Sequence, residues 1–74
     1  MKIYVATTLL EGYNHNECKV KLSTDPDEIR NYAQNQIEVY ADTNGGTARK
    51  TAGGNYVMNS SSLRVTIKIE EHEV

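Results

Sequence analysis

Glycine, threonine, arginine and lysine fall together at Gly46-Thr47-Ala48-Arg49-Lys50-Thr51, the residue types of a phosphate-binding loop. That chemistry needs Gly-x-x-x-x-Gly-Lys-Ser/Thr after a strand, because the glycines let backbone amides wrap the phosphates. Arg49 stands where the second glycine belongs and no strand-like run precedes the segment, so it reads as a flexible basic loop. His15 and Cys18 are spaced like half of a zinc site, but a structural site takes four ligands. Beyond carboxylates only His72 remains, at the far end of the chain. The same pair makes a poor nucleophile and base: strand alternation is expected to turn Cys18 inward, and no acid is placed to orient the imidazole. Glu70, Glu71 and Glu73 read as a solvated tail, and Asn59-Ser60-Ser61 is a glycosylation sequon with meaning only in a secreted chain. No catalytic residue, metal or cofactor is expected, and the chain does not read as an enzyme.

The elements that would position any binding residue are easier to read. At Asp25-Pro26-Asp27-Glu28 the apolar pattern changes period. Asp25 can accept from the first free helix amides, Pro26 suits the first helical position, and Glu28 is placed to reach back in a capping box. After it, Ile29, Tyr32, Ala33, Ile37, Tyr40 and Ala41 recur three and four apart, and Asn44-Gly45-Gly46 closes a helix. An alternative breaks the helix near Asn35 and makes Ile37 to Tyr40 a strand; the stripe running in phase through Ala41 favours one helix.

Before the cap, Lys2 to Leu10 alternates, with Ile3, Val5, Thr7 and Leu9 on one face and Tyr4, Ala6 and Thr8 on the other. A polar Gly/Asn turn leads to a second alternating run, Cys18 to Leu22, which makes a hairpin. Thr47 to Gly54 follows neither period and is expected to be an exposed, mobile loop. Tyr56-Val57-Met58 is a short strand candidate, and Leu63 to Ile69 alternates without a break.

The predicted order is β-β-α-β-β, an α+β fold with one helix across one face of an antiparallel sheet, and residues 1–74 form a single small domain. The expected core joins Ile3, Val5, Leu9, Val20, Leu22, Val65, Ile67 and Ile69 to Ile29, Tyr32, Ala33, Ile37 and Tyr40. Seventy-four residues with no Trp or Phe hold a core only narrowly, and one uncovered sheet face remains, so a homodimer through that face or an edge strand is expected. The single cysteine, the quickly polar start MKIYVATTLL and the lack of any long apolar run point to a cytoplasmic protein with no membrane contact.

A net charge of −2 gives no overall drive toward nucleic acid. The distribution is uneven. On this fold the face opposite the helix would carry Lys2, Tyr4, Lys19, Lys21, Arg64, Thr66 and Lys68, including five of the eight basic residues. Two functional readings follow. One is a binding protein that occupies the surface of a larger protein, with Tyr13 and Tyr56 as exposed aromatic anchors and Arg49 adding a charged contact. The other is a nucleic-acid module in which Tyr4 stacks on bases while Lys19, Lys21, Arg64 and Lys68 hold phosphates.

In length, plan and lack of motifs the chain resembles small bacteriophage-encoded inhibitors, including anti-CRISPR proteins. The resemblance spans the architecture of the whole chain and transfers no site residue. It implies a protein that blocks a host enzyme or defence complex. With so modest a net charge, steric blocking is expected rather than nucleic-acid mimicry.

Overall fold

The computed structural model describes residues 1–12 and 16–74; the predicted anchor Tyr13 and the zinc candidate His15 lie outside the described residues. The helix starts where the cap chemistry places it. The Asp25 carboxylate accepts from the Asp27 amide at 2.9 Å, Pro26 follows in the first turn, and α1 runs unbroken from Pro26 to Asn44. Glu28 does not complete a capping box: the Asp25 amide donates instead to Ser23 Oγ at 3.0 Å. Gly45, at φ 66°, closes the helix by donating to the Ala41 carbonyl. Because Asp25 satisfies an otherwise orphaned amide, Asp25→Ala should cost about 0.5–2 kcal/mol, read as a lower denaturant midpoint. Coincident midpoints would mean that the carboxylate contributes nothing.

One antiparallel sheet covers a single side of this helix. Its strands are β1 (Lys2–Gly12), β2 (Asn16–Ser23), β3 (Thr47–Lys50), β4 (Tyr56–Asn59) and β5 (Leu63–Glu73), in the order β2-β1-β5-β4-β3. The predicted α+β plan is present, with one strand more than expected. Thr47–Lys50 is not an open loop: Ala48 lies opposite Met58 and Lys50 opposite Tyr56. Four residues are too few to show a period, and their order comes from the template that β4 offers. Only the turn beyond them stays irregular. It is closed by the Thr51 amide on the Asn55 carbonyl at 2.7 Å and the Gly54 amide on the Thr51 carbonyl at 3.0 Å.

The core consists of Ala6, Leu10, Ile29, Ala33, Ile37, Tyr56, Met58, Val65 and Ile67. This reverses the expected faces of β1 and β2. Val65 and Ile67 on β5 leave no choice of side, and the register places them opposite Leu10 and Thr8, with Ala6 opposite Ile69. Opposed residues share a face, so Tyr4, Ala6, Thr8 and Leu10 turn toward the helix. Ile3, Val5 and Leu9, assigned to the core from sequence, look away. The β1–β2 register carries the reversal on, pairing Val5 with Leu22, Thr7 with Val20 and Leu9 with Cys18. Cys18 is therefore exposed rather than buried. Small residues at positions 6 and 8 leave room for the helix to approach β1.

That approach leaves one polar atom without a partner. Thr8 is 2 % exposed, and its Oγ1 is buried with no hydrogen bond. A buried hydroxyl of this kind costs about 1–3 kcal/mol, and an apolar side chain of the same shape removes that cost. Thr8→Val should therefore raise the denaturant midpoint at an unchanged slope. A lower midpoint would mean that the hydroxyl finds a partner, such as a bound water.

Candidate functional site

Alternation along β1 and β2 builds an apolar surface on the side of the sheet away from the helix. Cys18, Val20 and Leu22 stand directly opposite Leu9, Thr7 and Val5. Leu9 is 41 % exposed, Val20 61 % and Leu22 60 %. Side chains opposed on one face of an antiparallel pair lie close enough to act as one surface. The neighbouring strand supplies its border: β5 sets Thr66 beside Leu9, Lys68 beside Thr7, Glu70 beside Val5 and Arg64 beside Glu11. Glu70 holds Lys68 at 3.7 Å and His72 at 3.5 Å, exposed contacts of small energetic weight. Farther across, β4 places Val57 next to Thr66, and β3 places Arg49 next to Val57. The result is an apolar strip along two strands with charges of both signs on its flank.

The predicted nucleic-acid face does not exist as one surface. Alternation puts Tyr4, Lys19 and Lys21 on the helix side and Arg64 and Lys68 on the other. The helix-side lysines are occupied by helix tyrosines. Lys19 Nζ donates to the Tyr40 hydroxyl at 3.3 Å, which pushes the Lys19 pKa up, and Lys21 Nζ lies 5.8 Å from the centre of the Tyr32 ring. β2 lies at the sheet edge, so both lysines reach the helix tyrosines while staying exposed to water. Tyr4 is half-buried. Partial desolvation, followed by hydrogen bonding and charge from Glu71, raises its pKa. Lys2 pairs with Glu71 at 3.5 Å.

The predicted protein anchors are placed just as unevenly. Tyr56 is 5 % exposed and part of the core, because the register of β4 turns it, with Met58, under the helix. A glycine pair before it does not make it a surface residue. Arg49 is exposed and stands in the row that includes Val57. The residues that sequence reasoning missed are Val5, Leu9, Val20, Leu22 and Val57. Either parity of β1 reads as an acceptable core; only its pairing with the unambiguous β5 decides which is buried.

Two shallow clefts flank the helix on its other side. One, of about 270 Å³, is lined by Tyr4, Arg30, Lys50, the Gly53-Gly54 turn and Glu71 among others. Arg30 is bound there to Asp27 at 2.7 Å, and Lys50 lies 5.8 Å from the Tyr56 ring centre. The second, about 250 Å³, runs between Gln34, Glu38 and the β3 segment from Ala48 to Lys50. Among the described residues no three His, Cys, Asp or Glu side chains are grouped to hold a metal ion, and no helix is long and apolar enough to cross a membrane. The chain matches no family model, no curated protein and no solved structure.

Proposed function

We propose that this chain is a small non-enzymatic binding protein, a phage-type inhibitor of the anti-CRISPR kind that sterically blocks a host enzyme or defence complex. The observation that supports this reading is the outer strip of Val5, Leu9, Val20 and Leu22, a contiguous apolar surface bordered by Arg64, Lys68 and Glu70. Contact surfaces between proteins have this make-up, apolar at the centre and charged at the edge. Of the three predicted anchors, Arg49 is the one with a described and exposed position, and it extends the border at the far side of the sheet. The nucleic-acid reading has no comparable support, because its five residues fall on two faces.

Capture of a partner from host lysate, identified by mass spectrometry, tests this assignment. Leu9→Asp places a charge in the strip, opposite Cys18, without touching the helix side. It should weaken capture about tenfold or more, as loss of an anchoring contact costs over ~1 kcal/mol. Lys50→Gln, on the opposite side of the sheet, should leave capture unchanged. A partner held equally well by the Leu9 variant, with its fold verified by circular dichroism, would remove the outer strip from the interface.

A further inference from the structure

Away from the chain ends, the exposed large apolar residues among those described are Leu9, Val20, Leu22 and Val39. All four can be placed relative to the β2 edge. Val20 and Leu22 are on β2, Leu9 is opposite Cys18 of that strand, and Val39 stands seven residues after Tyr32 on α1. Residues seven apart share a helix flank, and Tyr32 is the residue that meets Lys21 of β2. Apolar side chains thus border the β2 edge on the sheet side and on the helix side. β2 is an eight-residue outermost strand that carries Glu17 with Lys19 and Lys21, whereas the other outermost strand, β3, has four residues with Arg49, Lys50 and no acid. A short edge of one charge resists pairing with its own copy, and a longer edge carrying both signs can pair with itself.

We propose that β2 is a dimerisation strand: two copies of this chain pair edge to edge, antiparallel, across a two-fold axis at Lys19, forming one ten-stranded sheet. Charge selects the occupant, and charge with the length of paired strand selects the register. With the axis at Lys19, Glu17 of each copy lies opposite Lys21 of the other, so one ionic contact is made twice. Cys18 then meets Val20, and Asn16 meets Leu22. With the axis at Val20, Lys19 would face Lys21 twice instead, which is repulsive. With the axis at Cys18, Glu17 would face Lys19 twice, but the pairing would span Asn16 to Val20 rather than Asn16 to Leu22. The like charges left on the axis are tolerable, because each Lys19 is drawn to its own Tyr40 at 3.3 Å and Glu17 at 3.9 Å. The two outer strips become continuous across the junction.

Light scattering over a micromolar concentration series is the test, against a monomer of 8.3 kDa. The parent should reach twice that mass. Lys21→Glu should weaken association tenfold or more, and adding Glu17→Lys to that variant should restore it by exchanging the two charges. The register has a separate readout. Val20→Cys puts a thiol opposite Cys18 of the second copy and should give a covalent dimer on oxidation. The parent should not, because its two Cys18 residues are offset by two positions, about 8 Å apart and beyond disulfide reach. Should Lys21→Glu fail to fold, the oxidation experiment decides alone. A parent that stays monomeric throughout overturns the proposal. So does a dimer that ignores the charge reversal and forms no cross-link, since its contact must lie elsewhere.

Discussion

Ile67→Ala should lower the unfolding free energy by about 2–5 kcal/mol, among the largest losses available to a single truncation in this chain. Ile67 is fully buried at the centre of β5, opposite Thr8 on β1 and Tyr56 on β4. Truncation removes contacts on both flanks at once, and rigid strands on each side limit how far the cavity can collapse. A domain of this length holds about 4–11 kcal/mol in total, so the variant approaches the point of not folding. Urea unfolding followed by circular dichroism should show a much lower midpoint at a similar slope. Lys68→Ala, one residue on and facing water, should stay within about 0.5 kcal/mol of the parent. Similar losses at 67 and 68 would mean that β5 does not present alternate residues to core and solvent.

The same strand explains how much of this molecule can be read from its sequence. Leu63 to Ile69 alternates cleanly, and the Asp25-Pro26 boundary announces the helix, so the α+β plan follows from local pattern. The faces of β1 do not. Ile3, Val5 and Leu9 are individually more apolar than Ala6 and Thr8, and a strand taken alone would bury the larger set. The smaller set is buried because β1 pairs directly with the central strand β5, where register with Ile67 and Val65 fixes the parity. Such information lives in pairing between segments some sixty positions apart, and no local period contains it.

Legibility of the candidate site follows from that. Lys19, Lys21, Arg64 and Lys68 sort onto one face or two according to the parity of β2, so the predicted basic surface and the observed apolar strip are alternative outcomes of one choice. Tyr56 illustrates a second limit. It follows a turn and precedes a short run, and its burial depends on β4 being sandwiched between β5 and a strand, β3, that shows no pattern of its own. Arg49 remains at the surface in either case.

At the end of the helix two adjacent glycines should respond to substitution in different ways, and Gly46→Ala should have the larger effect. Gly45 holds φ 66°, with nothing within 4 Å of the place a Cβ would occupy. Its cost is conformational only: alanine there should lose about 1–2 kcal/mol, and asparagine, which tolerates the left-handed region, should lose less. A Cβ on Gly46 collides with Met58 Sδ and meets the backbone oxygen of Asn59 at 2.6 Å. The methionine can shift, but the Asn59 carbonyl cannot move alone, because Asn59 is paired with Thr47 on one side and Arg64 on the other. Relief therefore requires β3 to lift away from β4 or the helix end to retreat, at about 3 kcal/mol or more where overpacking strains a paired strand. Gly46→Asn should be no better than Gly46→Ala, in contrast with position 45. Hydrogen exchange gives the structural signature, with amides from Thr47 to Lys50 losing protection in the Gly46 variant while those of α1 keep theirs. Equal losses at the two positions, or rescue of position 46 by asparagine, would show that backbone conformation rather than close approach to β4 requires glycine there.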